Sequence, residues 1–326
     1  MSGVEKKLIT SDDDGIRLDR WFKRHYPTLA HGMLSKFLRK GHIRLDGKRA
    51  KAADRIAEGQ EMRIPPIPQA SDANHPANNK QANFVSPADA KALHNMVIYK
   101  DNLVIAINKP AGLPVQGGTG TTRHLDGMLS ALQEEGFPKP KLVHRLDKDT
   151  SGVLLLARTA KAASELAKAF KDRQTKKTYW ALVLGFPRHE QGRIDLRMDK
   201  LPGRDGERMV VTPNGKGSTT EFQRIEHAGR RATWMALRPV TGRTHQLRLH
   251  MAYLEHPIVG DGKYGGPDAY LTGAISKKMH LHARSIEIPL AGNMLHIVAP
   301  MPPHMVETWS MLDFDMDLGD KAFEEE

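Results

Sequence analysis

The first 66 residues follow apolar spacings that predict two helices and then short strands. Two sets of apolar residues share the helical spacing i, i+3, i+4: Leu18, Trp21 and Phe22, then Leu34, Phe37 and Leu38. Two pieces then alternate apolar and polar residues: Ile43 with Leu45, which runs into the hairpin-turn pair Asp46-Gly47, and Met62 with Ile64. The pattern predicts a small α/β domain over residues 1–66.

Residues 67–88 break this pattern. They are rich in Asn, Ala, Gln and Pro, and their large apolar residues are Ile67, Phe84 and Val85. A stretch of this length without regular structure is improbable inside a compact domain. We therefore predict a linker between two domains.

From residue 89 to residue 306 the pattern is rich in strands. The runs typical of strands are 96–99, 103–107, 142–146, 153–157, 179–184, 219–225, 233–237 and 295–299. The helical spacings fall at 125–135, 160–172, 245–254 and 304–312. Helices and strands do not alternate regularly, which disfavours a doubly wound parallel sheet. The predicted fold class is α+β, with a mixed, mostly antiparallel sheet flanked by helices.

The net charge of the chain indicates which class of molecule it binds. Among the 326 residues, 49 Lys and Arg face 38 Asp and Glu, a net charge of +11. Residues 307–326 contain eight acids and one Lys, so they form a predicted acidic C-terminal tail and the remainder carries +18. A chain this basic attracts a polyanion, and nucleic acid is the first candidate.

Composition also excludes some chemistry. The chain has no Cys, which rules out disulfides, cysteine-held iron–sulfur clusters and thiolate catalysis. The longest apolar run, 179–184, is far shorter than the roughly 20 residues of a membrane helix. The N-terminus lacks the apolar stretch of a signal peptide. We expect a soluble cytoplasmic protein without a membrane partner.

Basic residues gather on the second helix of the small domain. Lys36, Arg39 and Lys40 lie opposite its apolar face. A solvated surface explains such a cluster, and so does contact with nucleic acid. The net charge of +6 over residues 1–66, in a unit too small for an enzyme, makes these three side chains candidates for substrate binding.

The segment 141–159, KLVHRLDKDTSGVLLLART, is the first candidate for catalysis. Asp147 follows a predicted strand and lies between Arg145 and Lys148. One interpretation makes Asp147 and Asp149 turn residues, because Asp is favoured in turns. The other makes Asp147 a carboxylate kept ionised by neighbouring cations, ready to act as nucleophile or base. The spacing alone leaves both open.

The segment 238–266 contains a predicted amphipathic helix with Thr244 as its N-cap. Leu247, Met251 and Leu254 would form its buried face. Arg243 and Arg248 could then reach an anion, or could simply be exposed on an ordinary helix.

Other sites are disfavoured. The histidines of 245–282 lack HExxH spacing and an acid cluster, so no metal site is predicted. The glycines of 117–120 lack the Lys-Ser/Thr of a phosphate loop, and Ser151 lacks the GxSxG context of a hydrolase.

These segments resemble a known family. The strings that carry the resemblance are NKPAGLPV at 108–115, HRLDKDTSG at 144–152, KTYWALV at 177–183 and GRTHQLRLH at 242–250. They resemble the pseudouridine synthases of ribosomal large-subunit RNA, the Rlu family, and in particular its C and D types. Residues 15–65 resemble the small RNA-binding domain of the ribosomal-protein-S-four type that often precedes the catalytic domain. The resemblance implies a pseudouridine synthase fold over about 89–306.

The resemblance also implies roles for individual residues. Asp147 falls on the essential Asp of the family, and Tyr179 on the Tyr that packs against the target base and is associated with proton transfer. Arg248 falls on the Arg that pairs with the catalytic Asp. Leu249 falls on the apolar residue beneath the base pocket, and Arg145 on the Arg that fills the space of the flipped base.

The implied activity is isomerisation of uridine in large-subunit ribosomal RNA, or its assembly precursor, without a cofactor. Two alternatives compete with it. An RNA methyltransferase would need a glycine-rich cofactor loop after a strand, which the sequence lacks. A non-catalytic ribosome-assembly RNA-binding protein would explain the charge but not the HRLD segment. No pattern bears on the oligomeric state, and a monomer is the default expectation.

Overall fold

The computed structural model describes residues 4–67, 85–118, 121–201 and 208–323. The chain forms two compact units, 1–82 and 83–326. The division falls inside the predicted linker, of which residues 68–84 lie outside the described part. Val85 packs on the core of the larger unit, and Ser86 caps the helix that begins at Pro87.

The small unit combines two helices with a four-stranded antiparallel sheet. Its elements are β1 (Glu5–Leu8), α1 (Leu18–His25), α2 (His31–Lys40), β2 (Arg44–Leu45), β3 (Lys48–Arg49) and β4 (Glu61–Ile64), with strand order β1-β4-β2-β3. Asp46 and Gly47 both have positive φ, as a tight hairpin turn requires. The predicted apolar faces of α1 and α2 are buried in one core with Met62 and Ile64.

The larger unit is built on an eleven-stranded sheet. Its strands are β5 (Val97–Lys100), β6 (Val104–Lys109), β7 (Lys141–Leu142), β8 (Ser151–Ala157), β9 (Lys176–Leu184), β10 (Gln191–Leu201), β11 (Arg208–Val211), β12 (Lys216–Ala228), β13 (Ala232–Pro239), β14 (Leu281–Leu290) and β15 (Asn293–Val298). Its helices are α3 (Pro87–Asn95), α4 (Leu125–Met128), α5 (Ala160–Lys171), α6 (Gln246–Tyr253), α7 (Pro303–Met311) and α8 (Met316–Asp320).

The main strand order is β11-β10-β12-β13-β9-β14-β8-β6-β5, with β15 beside β14 and β7 beside β8. Among the described strands, β8 and β14 form the one parallel pair. The mixed, mostly antiparallel sheet flanked by helices confirms the predicted fold class. The apolar-run prediction omits β10, β11 and β14.

Alternation along the strands sends side chains to two faces. On β9 and β13, Ala181 and Leu237 pack with α6, while Trp180 and Trp234 pack with α7. The first face carries the cleft described below.

The predicted acidic tail, 307–326, is folded as far as it is described. Trp309 and Phe314 enter the aromatic core around Trp234, and Arg284 forms a bidentate ion pair with Asp320. The high proportion of acids in this segment conceals the aromatic residues that anchor it. Residues 324–326 lie outside the described part.

Candidate active site

A cleft of about 470 Å³ opens where three segments meet: the β7–β8 loop, the start of β9, and the turn from β13 into α6. Asp147, Tyr179 and Arg248 line it together, as do Arg145 and Arg243. The structure therefore brings five of the predicted site residues to one place.

The β7–β8 loop departs early from the sheet. The predicted strand 142–146 ends at Leu142, because Nε2 of His144 accepts the hydrogen bond from the backbone N–H of Leu155. Burial, with a smaller effect of Lys177, lowers the pKa of His144 to about 3, so the ring is a neutral acceptor. Leu146 is buried, and this anchors the chain just before Asp147.

Lys109 connects this loop to the neighbouring loop 109–113 through hydrogen bonds. Its Nζ donates to the backbone carbonyls of Pro110, Leu113 and Lys148 at 2.9, 3.0 and 3.0 Å. The side chain is fully buried, and burial lowers its pKa to about 8, opposed by the charges of Asp149 and Asp147. Lys109 therefore joins the 109–113 loop to the backbone directly after Asp147.

The entry into α6 is held by Gln246. Its Oε1 accepts from the Thr241 hydroxyl and the Arg243 backbone N–H, and its Nε2 donates to the Thr219 carbonyl. The predicted cap, Thr244, is exposed, and His245 occupies the N-cap in a left-handed conformation with φ of 52°. The N-cap prediction was wrong because Gln246 already binds the preceding turn.

Because His245 has this left-handed conformation, its side chain lies between Asp147 and Tyr264. Its Nδ1 lies 2.9 Å from the Tyr264 hydroxyl, and its Nε2 lies 3.9 Å from Oδ2 of Asp147. Burial lowers the pKa of His245, and Arg248 and Lys263 lower it further against the opposing charges of Asp147 and Asp261. His245 is therefore a basic side chain within 4 Å of the Asp147 carboxylate.

Arg248 has a different direct partner from the predicted one. Its Nε and Nη2 donate to the two carboxylate oxygens of Asp261 at 2.7 and 2.6 Å. Both residues are buried, and the pair satisfies a planar fork with two oxygens. The charge of Asp147 only adds to the rise in the Arg248 pKa. The expected Arg248–Asp147 ion pair is replaced because Asp261, on the loop after α6, occupies the fork.

Tyr179 lies on β9 and packs between two core clusters. Burial raises the pKa of its phenol, and the charge of Asp147 raises it further, so the hydroxyl stays protonated.

Leu249 packs elsewhere, with Met198, Met209 and Tyr264. Leu247 and Leu281 provide the apolar lining instead. Since Leu249 follows Arg248 on a helix, its side chain turns by about 100° to another face. Leu249 therefore does not line the cleft itself, and its expected position beneath the base pocket stays a prediction.

Further cations line the cleft. The cleft is also lined by Lys171, Arg173 and Lys177. Of the two arginines named above, both Arg145 and Arg243 are exposed. Lys36, Arg39 and Lys40 are exposed on α2 of the small unit, in keeping with their predicted place opposite the apolar face.

Three neighbours of the predicted site escape sequence reasoning: Lys109, His245 and Asp261. Lys109 and His245 stand inside the strings that carry the family resemblance, but nothing in their spacing indicates a role for them. Asp261 follows Gly260 and precedes Gly262, which reads as an ordinary turn.

The described residues offer neither a metal site nor a membrane-spanning helix. No group of three His, Asp or Glu side chains is placed to hold a metal ion in the described ranges. No helix there combines the length and apolar character needed to cross a bilayer.

Comparisons with known proteins place the cleft in a family. A family model described as RNA pseudouridylate synthase matches residues 103–253, which include Asp147, Tyr179 and Arg248. The ribosomal large subunit pseudouridine synthase C of Escherichia coli K12 is 36% identical over 307 residues, covering 91% of this chain and 93% of that protein. An uncharacterised RNA pseudouridine synthase of Synechocystis is 32% identical, covering 92% and 91%.

Solved structures agree. Human RNA pseudouridylate synthase domain containing 4 superimposes with a TM-score of 0.60 at 27% identity, over 73% of this chain and 98% of that one. The human domain-containing 1 protein gives 0.53 at 28% identity, over 64% and 85%.

Proposed function

We propose, because this chain belongs to the RNA pseudouridylate synthase family, that it isomerises selected uridines of large-subunit ribosomal RNA to pseudouridine. The observation that carries the proposal is the Asp147 carboxylate in a cleft with Tyr179, inside the segment that matches the family model. The choice of RNA is supported by relatives named for the large ribosomal subunit and by the strong positive charge. Such a substrate supports the expected location of the enzyme, with the ribosome in the cytoplasm.

The isomerisation needs no cofactor to supply electrons or atoms. Uridine and pseudouridine contain the same atoms: the bond from C1′ to N1 breaks, a bond from C1′ to C5 forms, and the proton of C5 is replaced by one on N1. No electrons enter or leave. A carboxylate, a proton route and a closed space for the detached base therefore meet the needs of the reaction.

Each residue of the cleft can serve one of these needs. A uridine within a helix must leave the stack, at a cost of a few kcal/mol. Arg145 would then fill the gap, and its exposure supports this role. Tyr179 and Leu247 offer a ring and an apolar surface to the base. Asp147 then acts on the sugar or the base, while Lys109 and His245 hold its position.

The test compares Asp147→Asn with Asp149→Asn. Asp147→Asn keeps the side-chain shape but removes the nucleophile or base, so pseudouridine formation on large-subunit ribosomal RNA should fall by at least about 10³-fold while RNA affinity survives. Asp149→Asn is the matched control, two residues away on the same loop, and should lose much less. Single-turnover assays of both folded variants decide. Equal losses would contradict the assignment of Asp147.

A further inference from the structure

A second cavity, of about 540 Å³, adjoins the cleft of Asp147. The two share His245 and Arg248, which stand in the wall between them. Successive residues of the β7–β8 loop also divide between them, since Asp147 lines the first and Lys148 the second. Whatever fills the second cavity is therefore a direct neighbour of whatever reacts in the first.

The lining of the second cavity is basic. Lys148, Lys277 and Lys278 contribute three ammonium groups, against the carboxylates of Asp149 and Asp261. Asp261 is committed to Arg248. Lys148, Lys277 and Lys278 are exposed, and they form no salt bridge with any residue that the structure describes. This excess of positive charge favours the binding of an anion that is not part of the protein.

The cavity also offers an aromatic surface and close access to the backbone. Tyr270 is 39% exposed and lines the cavity. A side chain at Gly262 would meet the Tyr270 hydroxyl, so the glycine lets the phenol lie over that loop. Gly112 also lines the cavity, and a side chain there would meet nothing within 4 Å, so the space beside this stretch of backbone is open. Lysines beside an exposed ring are the combination that binds single-stranded nucleic acid, with phosphate on the cations and a base on the ring.

We propose that the second cavity binds the RNA nucleotide adjoining the target uridine, with its phosphate on Lys277 and Lys278 and its base against Tyr270. This inference rests on the proposed function, since it assumes that a flipped uridine enters the first cleft. Lysines are point charges without a fixed fork, so the contact is to the backbone and is independent of base sequence. The site therefore sets the register of the strand beside Asp147.

The experiment removes two charges from the cavity and two from elsewhere. The double variant Lys277→Gln/Lys278→Gln is compared with Lys91→Gln/Lys161→Gln, which changes two exposed lysines on α3 and α5 outside both cavities. All proteins carry Asp147→Asn, so that bound RNA is not converted. The dissociation constant for transcribed large-subunit ribosomal RNA is measured over a range of salt.

We expect the cavity variant to bind about tenfold more weakly than the control pair, and its plot of log K against log salt to be shallower by roughly one to two units. Tyr270→Leu should weaken binding without changing that slope, whereas Tyr253→Leu, an exposed ring on α6, should leave affinity unchanged. Equal affinity and slope for the two lysine pairs would overturn the proposal.

Two further arms separate the sources of phosphate and the underlying activity. Inorganic phosphate and uridine monophosphate are titrated against the same proteins. If the lysine pair 277–278 is needed for inorganic phosphate but not for RNA, the cavity is a free-anion site and the proposal fails. Pseudouridine formation by the wild-type protein is measured separately. Its absence would refute the proposed function, while the salt slopes would still report whether RNA uses the cavity.

Discussion

Arg248 shows how a single residue can affect both the chemistry and the fold. Its fork binds buried Asp261, and its charge also reaches Asp147. Lys in its place would keep the charge but offer one donor centre to two carboxylate oxygens. The consequences should therefore appear in stability as well as in rate.

Arg248→Lys should lower the single-turnover rate at saturating RNA by at least about tenfold and the free energy of unfolding by roughly 1–3 kcal/mol, because a buried carboxylate loses part of its hydrogen bonding. Arg243→Lys, on an exposed side chain of the same segment, is the control. It should change RNA affinity in a salt-dependent way and leave stability unaltered. A wild-type rate in Arg248→Lys would remove Arg248 from the positioning of the site.

At the scale of elements, the short helix α8 depends on a glycine. Gly319 lies against the indole rings of Trp234 and Trp180, and a methyl group there would overlap both. The bidentate pair of Asp320 with Arg284, whose guanidinium stacks on Trp180, holds the same helix end. The close approach of backbone to rings is what lets the C-terminal segment cover the core.

Gly319→Ala should therefore lower the free energy of unfolding by roughly 1–3 kcal/mol, since the added methyl must displace an indole or the helix. Leu318→Ala, at a neighbouring position that is 39% exposed, should cost much less. Thermal and denaturant unfolding measure both. If the two variants are equally stable, α8 does not pack tightly on the tryptophans in solution.

For the molecule as a whole, buried histidines make stability depend on pH. Burial lowers the pKa of His250, His280 and His282 to about 4 each, from an ordinary value of 6.5. Between these values the unfolded chain binds protons that the folded chain does not. The free energy of unfolding should therefore be fully present above about pH 6.5 and fall as the pH drops towards 4, by on the order of 3 kcal/mol at most for each histidine.

Denaturant unfolding at several pH values checks this. His282→Gln should show a shallower fall than the wild-type protein, whereas His296→Gln, at an exposed position, should follow the wild type. An unchanged pH dependence in His282→Gln would show that the pKa of this histidine is the same in the folded and unfolded chains.

The small unit offers a second test at this scale. Residues 1–66 carry +6, and Lys36, Arg39 and Lys40 are exposed on α2. Deleting residues 1–82 should weaken affinity for structured ribosomal RNA by about tenfold or more, and should change the single-turnover rate at saturating RNA much less. Tight binding by the truncated protein would contradict a role for this unit in RNA capture.

Local pattern was enough to predict much of the architecture. Strands β6, β8, β9 and β13 are continuous apolar runs because both of their faces are covered, and α5 shows the helical spacing of a one-sided core contact. The family strings predicted Asp147, Tyr179 and Arg248 as neighbours, and these side chains do meet in one cleft. Their catalytic roles stay predictions.

Other features became visible only in the tertiary structure. Strand β10 alternates Ile194, Leu196 and Met198 with polar residues, so a search for apolar runs passes over it, and β14 buries His282 within its length. The Asp261 partner of Arg248 lies 13 positions along the chain, beyond the reach of helical spacing.

Local periodicity reports which face of an element is apolar, and from it the sequence by itself determined the class of fold. The segments that form the cleft were indicated by the strings that carry the family resemblance. Ion-pair partners depend instead on where loops return in space. Only the tertiary structure decided that Lys109 secures the Asp147 loop, that His245 stands beside the carboxylate, and that Asp261 occupies the fork of Arg248.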